Sequence, residues 1–433
     1  MKNTKHKKFI YHSYSIDENG FSYHFSMDEH EFHPKWRLSN AEKTVLPNDD
    51  ALLHELVFQL GMAELISYWK SACPPVVEVK CGSLDEWQKH WWKKLTRNGL
   101  GEFFYTNKIV PDDDFMTIIA NNHRKEFTAP PTHKCSGNLI PVGGGKDSVV
   151  TLELLRESME NNRCYIVGEL KRAYDTAKTA GYPDTHIIQV KRTIDPTLLR
   201  LNQIGYLNGH TPFSAIIAFS SLIFAYLSGK KNIVLSNESS ANEGNVADTE
   251  VNHQYSKSTE FEHDFRDYVQ NLGQGLPEYF SLLRPWNELQ ITKKFTQYPQ
   301  YFPVFQSCNA GTKSNTWCCK CAKCLYVYIM LAAFLEDDVL ISIFGENFLS
   351  NPGFSDILIA LIDPETDKPF ECVGTREEVC HALSMACERR RTNLPFLLKS
   401  HINKISHIES DLFDFFNDFH FVPQEFIKFL KNA

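Results

Sequence analysis

Aromatic and polar residues alternate through the first 35 positions, in Phe9-Ile10-Tyr11 and again in Phe21-Ser22-Tyr23-His24-Phe25, which predicts two strands. Asn19-Gly20 between them suits a turn with positive φ, so the pair reads as a hairpin. The spacing changes over residues 49–70, where Leu52, Leu53, Leu56, Phe58, Leu60, Leu65 and Ile66 fall on overlapping faces of a helix. A second helical stretch runs from Ser83 to Arg97. Pro130-Pro131 excludes helix and marks a linker. Residues 1–130 are therefore expected to form an α+β N-terminal domain.

From residue 137 the pattern becomes an alternation of strands (138–142, 164–168, 186–191, 231–236) with helices (148–160, 170–180, 212–229). That alternation predicts a parallel sheet covered by helices. Pro141 falls late in the first strand, where a missing ladder hydrogen bond is tolerated. The expected fold is α/β, with a parallel-sheet catalytic domain over 131–345 and a helical C-terminal region over 346–433. The tail carries an aromatic patch at Phe413, Phe415, Phe416, Phe419 and Phe421.

Composition narrows the class. A chain of 433 residues with 42% hydrophobic and 23% charged positions is globular and too long for one ordinary core. The excess of 53 acidic over 45 basic residues disfavours a non-specific nucleic-acid binder. The longest apolar run, Cys324 to Leu335, is far short of the roughly 20 residues of a membrane span. The basic start, Met1 to Lys8, leads into no signal-peptide core, so a cytoplasmic protein without membrane contact is expected. Nothing in the sequence fixes an oligomeric state. Of twelve cysteines, five crowd between Cys308 and Cys324, which suggests metal binding more than disulfides.

The densest chemistry lies in Gly143-Gly144-Gly145-Lys146-Asp147-Ser148, between an apolar strand and a helix. Glycines let the backbone wrap an anion, and the helix N-terminus favours its charge. Walker A spacing fails because Asp147 follows Gly145-Lys146 and Ile140 stands where its first glycine belongs. The Rossmann pattern fails at Ser148. The stretch resembles the Ser-Gly-Gly-x-Asp-Ser loop of the PP-loop ATP pyrophosphatases, with Gly143 in place of the first serine. That resemblance implies ATP as substrate, its phosphates on the loop amides and Ser148, and Asp147 near Mg²⁺. An acidic side chain in a phosphate loop makes sense when a divalent cation offsets it.

Downstream, the polar loop Ser236 to Asn245 follows a strand, where ligands bind in parallel sheets. Arg284-Pro285-Trp286-Asn287-Glu288-Leu289, with Lys293 and Lys294, resembles a proline-plus-lysine segment late in PP-loop domains. The set Cys308, Cys318, Cys321, Cys324 has spacing suited to tetrahedral Zn²⁺. It resembles the zinc cluster of the 7-cyano-7-deazaguanine synthases, themselves PP-loop enzymes. Cys319 is surplus, or an alternative to Cys318. Thr211 in His210-Thr211-Pro212-Phe213-Ser214 suits a helix cap, and Arg389-Arg390-Arg391 suits either a diphosphate or a solvated face.

Taken along the whole chain, these segments with Asn252-His253-Gln254-Tyr255-Ser256 resemble the MurL-type UDP-N-acetylmuramoyl-L-alanyl-L-glutamate epimerases. The resemblance implies ATP-dependent epimerisation of a terminal L-Glu through an acyl-adenylate, in peptidoglycan precursor synthesis, with a UDP-linked muramoyl dipeptide as substrate. Adenylation removes the carboxylate charge that makes the α-proton so weakly acidic, after which a general base can act. His253, His210, Lys257 and Cys319 are the candidate acid/base groups, and Glu243 is a candidate base or Mg²⁺ ligand. The rival readings are an amidating or thiolating PP-loop enzyme and a non-catalytic nucleotide-binding module. Intact Asp147 and Ser148 count against the module.

Overall fold

The computed structural model describes residues 6–39, 46, 49–122, 127–128, 135–246, 249, 251–312, 314–405 and 412–431; the Pro130-Pro131 linker lies outside them. Its strands are β1 (Lys8–Asp17), β2 (Gly20–Met27), β3 (His30–Phe32), β4 (Lys35–Leu38), β5 (Val76–Ser83), β6 (Thr117–Asn121), β7 (Phe127–Thr128), β8 (Asn138–Pro141), β9 (Arg163–Val167), β10 (Ile187–Thr193), β11 (Asn232–Leu235), β12 (Gly273–Gln274) and β13 (Glu278–Ser281).

The hairpin β1–β2 forms, but its turn residues are Glu18 and Asn19, one position earlier than the sequence suggests. Gly20 opens β2 instead, because a Cβ there would lie 2.0 Å from the Trp36 carbonyl oxygen of β4. The first long helix is Ala51–Trp69, started by Asp50, whose carboxylate accepts from the Leu52 and Leu53 amides at 2.9 and 3.0 Å. The second is Glu86–Gly99, opened by a reciprocal Asp85/Gln88 capping box.

One mixed sheet runs through the described residues in the order β13-β11-β8-β9-β10-β4-β2-β1-β5-β6. Strands β13, β11, β8, β9 and β10 are mutually parallel. An antiparallel pairing of β10 with β4, in register Val190↔Leu38, joins them to the N-terminal strands. Strands from both sides of residue 130 thus share one sheet. Arg192 of β10 crosses that junction to the buried Glu64 of helix Ala51–Trp69, at 2.8 Å for its second nitrogen, and Trp36 donates to the same carboxylate at 2.7 Å.

Along the parallel strands, side chains alternate between two cores, the period-2 consequence of the pleat. Leu139, Tyr165, Val190, Ile233 and Tyr279 face helices Ala51–Trp69, Phe213–Leu227 and Thr259–Leu272. Ile140, Cys164, Ile187, Val234 and Phe280 face helices Lys146–Leu154, Lys171–Thr179, Glu288–Phe295, Ala322–Ala332 and Arg376–Arg389. Both faces are covered, as a parallel sheet requires.

The tail is helical at Ser355–Ile362, Arg376–Arg389, Phe396–His401 and Gln424–Lys431, but residues 412–423 carry no helix or strand. Gln290 donates to the Phe413 and Phe415 carbonyls at 2.9 and 2.8 Å, so backbone fixed on helix Glu288–Phe295 sets the aromatic patch. Arg389 and Arg390 pair with Glu336 and Asp337, which engages part of the basic run within the fold. No helix among the described residues is long and apolar enough to cross a membrane.

Candidate functional site

The chain moves from β8 to β9 and β10 on one side and then to β11 and β13 on the other. The switch between β8 and β11 leaves a crevice at their carboxyl ends, the usual ligand position in an open α/β sheet. The glycine loop leaves β8 into this crevice. Gly144 takes φ +84°, and a Cβ on it would lie 2.8 Å from Arg172 Cγ and 2.9 Å from the Ala173 nitrogen. Gly143 is exposed, and a Cβ there would meet nothing within 4 Å. Gly145 is the N-cap of helix Lys146–Leu154 and contributes no side-chain cap. The amides at that helix start are suited to an anion. Ser148 donates to the Gly145 carbonyl at 2.8 Å.

Lys146 points at the carboxylates around the loop. It is buried in contact with both Asp147 and Glu288, and these carboxylates raise its pKa against the opposing effect of burial. Asp147, Glu238 and Glu288 each bring a carboxylate oxygen within 4.8 Å of the others. Burial pushes Glu238 and Glu288 up, whereas Lys146 and Lys323 bring Asp147 down despite its own desolvation. Hard oxygen donors in this number suit Mg²⁺ with a bound phosphate completing its shell. Glu238 follows β11 inside the polar 236–245 loop. Glu288 opens helix Glu288–Phe295 behind its Asn287 cap. The fully buried Arg284 donates to the Glu238 and Lys257 carbonyls and to Glu262 at 3.0 Å, so it fixes the backbone of both site segments.

A second group adjoins the carboxylates. Lys257 donates to Cys372 Sγ at 3.2 Å, and Lys323 donates to the Cys372 carbonyl. His253 pairs through Nδ1 with Glu102 and shares an electrostatic interaction with Cys372. His210 Nδ1 lies 3.3 Å from the same Glu102 oxygen, and the two imidazole centroids are 4.4 Å apart. Burial opposes charge on His253, but Cys372 and Glu102 raise it to about 9. Burial and the neighbouring His253 lower His210 to about 3. Burial opposes the Cys372 thiolate, but Lys257 and His253 bring it down to about 5. Lys70 positions His210 by donating to its carbonyl at 2.8 Å and to Thr211 Oγ1 at 2.6 Å. That hydroxyl therefore serves Lys70, and helix Phe213–Leu227 begins without a side-chain cap.

Cys308, Cys318, Cys321 and Cys324 bring their sulfurs within 4.8 Å of one another, with pairs at 3.9, 3.6 and 3.6 Å. Four sulfurs at such separations fit a tetrahedral ion with bonds of about 2.3 Å. Cys319 takes φ +55° and turns its thiol to the Phe344 carbonyl at 3.3 Å, outside the four-sulfur set. Gln306 donates its amide to the Gly144 carbonyl at 2.7 Å. Arg172 links Gly143 at 3.2 Å to Thr312 at 2.9 Å, so the cysteine segment braces the glycine loop. Glu243 pairs with Lys368 at 2.8 Å, away from the three-carboxylate set.

Residues 1–282 match the MurL N-terminal domain and residues 304–411 the MurL C-terminal domain. The chain belongs to the MurL family. Among its relatives is a UDP-N-acetyl-alpha-D-muramoyl-L-alanyl-L-glutamate epimerase of Xanthomonas oryzae, 32% identical over 78% of this chain and 76% of the relative. Proteins of the same name from Salinispora tropica (32%, 79% and 76%) and a Micromonospora species (33%, 78% and 76%) are similarly close. No solved structure matches.

In this MurL-family chain the fold brings His253, His210 and Lys257 together with groups not singled out in the sequence: Glu102, Lys323 and Cys372, with Glu238 and Glu288 beside Asp147. The two glutamates lay inside segments already notable for their motifs. Glu102 and Cys372 carry no local pattern, and 150 or more positions separate Glu102 from its partner His253.

Proposed function

We propose that this chain epimerises the terminal glutamate of UDP-MurNAc-L-Ala-L-Glu from L to D at the expense of ATP. The observation that carries the reading is the Glu102-bridged histidine pair beside the carboxylate-lined glycine loop. Two imidazoles pushed to about 3 and about 9 supply an unprotonated acceptor and a protonated donor at the same pH. Pairs of titratable groups driven apart in this way mark acid/base assignments. The names of the relatives supply the substrate.

On this reading the loop amides of Gly143 to Lys146 bind the ATP phosphates, and the substrate carboxylate attacks the α-phosphorus, releasing pyrophosphate. Asp147, Glu238 and Glu288 would hold Mg²⁺, which supplies charge neutralisation for the phosphates. The four cysteines would hold Zn²⁺, which supplies a structural cross-link. The acyl-adenylate carries no carboxylate charge, so its carbonyl can accept the carbanion's electron pair. His210 takes the α-proton, His253 supplies one to the opposite face, and hydrolysis yields product and AMP. Lys257 screens the developing enolate.

Purified protein with ATP, Mg²⁺ and the dipeptide substrate in D₂O should release pyrophosphate and place deuterium at the glutamate α-carbon. Pyrophosphate release without α-deuterium would sink the epimerase reading in favour of an amidating or thiolating ligase. Neither event, with ATP still bound, would indicate a binding module.

A further inference from the structure

Lys257 donates to Cys372 Sγ, and His253, held by Glu102 through Nδ1, acts on the same thiol electrostatically, so nucleophile, imidazole and orienting carboxylate are gathered in one place. That is the arrangement by which unrelated folds activate a thiol. Lys257 adds a full positive charge 3.2 Å from the sulfur. The loop that carries Cys372 sits over the carboxylate set. A Cβ on Gly374 would lie 3.3 Å from Glu288 Cγ and 2.7 Å from the Tyr326 hydroxyl, and Glu378 accepts the Glu288 amide at 2.9 Å. Cys372 is partly exposed. The acid/base assignments above give it no task.

We propose that Cys372 is a covalent nucleophile that takes the glutamyl group from the adenylate as a thioester. This rests on the adenylation reading given above. The thiolate adds to the acyl carbon, a C–S bond forms, the C–O bond to the phosphate breaks, and AMP departs with the electron pair. AMP is a good leaving group and needs no proton, so His253 stays protonated. A thioester acidifies the α-carbon because sulfur donates poorly into the carbonyl, so the α-proton still moves to His210 and one returns from His253. Water then cleaves the C–S bond, giving the carboxylate and restoring the thiolate. A weakly basic thiolate fits this task better than direct proton abstraction, since thiolate nucleophilicity falls off only slowly as basicity falls.

Acid quenching of the full chain during turnover with ATP, Mg²⁺ and UDP-MurNAc-L-Ala-L-Glu, followed by peptide mass analysis, tests the step. The expected result is a Cys372 peptide carrying the acyl mass, removed by neutral hydroxylamine. Cys372→Ala should keep substrate-dependent ATP–pyrophosphate exchange, which also reports that it folds, and lose α-deuteration on the order of 10³-fold or more. Exchange in the wild type with no adduct at any quench time overturns the thioester and leaves adenylation standing. So does a Cys372→Ala protein that deuterates within tenfold of wild type. Absence of exchange in the wild type overturns both.

Discussion

Cysteine is placed in two opposite settings in this molecule. Cys308, Cys318, Cys321 and Cys324 face one another: burial raises Cys308, the hydrogen bond with Cys324 raises Cys321 well above the ordinary thiol range, and, against burial, hydrogen bonds bring Cys318 down only to about 7. Cys372 faces Lys257 and His253, and its thiol falls to about 5. Four clustered thiols cannot all ionise without an added cation, whereas Cys372 is ionised by side chains the fold already supplies. The first set is suited to architecture and the second to chemistry.

A double dissociation gives the largest effects. With zinc on the four sulfurs as proposed, Cys321→Ser should fall from one metal per chain to none by elemental analysis and melt well below wild type, because metal affinity of this kind is folding free energy. Its ATP affinity should fall too, since Gln306 and Arg172 tie the cysteine segment to Gly144 and Gly143. Cys372→Ala should keep the metal content of the wild type, because Cys372 is outside the four-sulfur set, although losing the thiolate beside Lys257 lowers its melting temperature. Metal loss in the second variant would collapse the distinction.

The same contrast marks what the sequence reveals. Spacing exposes the four cysteines, because C-x₂-C geometry is local. The glycine loop is legible for the same reason, as are the β8 to β11 alternation and most helix limits. Cys372 acquires its meaning only when helix Arg376–Arg389 packs and carries its preceding loop across Glu288. Lys146 lies in the same loop motif, but its contacts with Asp147 and Glu288 are tertiary and no local pattern foretells them. The turn at Glu18-Asn19 shifted because β4, a third strand, approaches Gly20.

The two cysteine regions meet where Lys323 donates to the Cys372 carbonyl, and the carboxylate set offers a test independent of both. Glu288→Gln leaves Lys146 with one carboxylate in a buried site, and breaking a buried ion pair costs about 3–5 kcal/mol. Chemical denaturation should show that loss. Mg²⁺-dependent ATP binding, followed by calorimetry, should weaken at least about tenfold, by the loss of one ligand. Unchanged stability would mean that Lys146 does not depend on Glu288.

Titration sharpens the chemical half of the comparison. His253, raised from 6.5 to about 9, contributes stability that is complete below 6.5 and is lost as pH rises through about 9. Cys372, lowered from 9 to about 5, contributes stability that is complete above 9 and is lost as pH falls through about 5. The thiolate–imidazolium pair therefore exists between about pH 5 and 9, inside a shell of Glu102, His210, Lys257, Lys70 and Lys323. Iodoacetamide labelling of Cys372 should rise with a midpoint near 5, and α-deuteration should fall outside both limits. A labelling midpoint near 9 would return Cys372 to the ordinary thiols.

The smallest effects separate two adjacent glycines on the architectural side. Gly144→Ala places a Cβ against Arg172 and Ala173 at positive φ, a strain on the order of 1–3 kcal/mol that pushes on the brace to the cysteine segment. Gly143→Ser meets nothing within 4 Å and restores the serine of the PP-loop pattern, so stability should stay within about 0.5 kcal/mol. A hydroxyl there has room to donate to a phosphate, and one such bond is worth about 0.5–1.5 kcal/mol. ATP should therefore bind equally well or up to about tenfold tighter by calorimetry. If Gly143→Ser weakens ATP binding while the melting temperature holds, the open side of the loop is not where the phosphates lie.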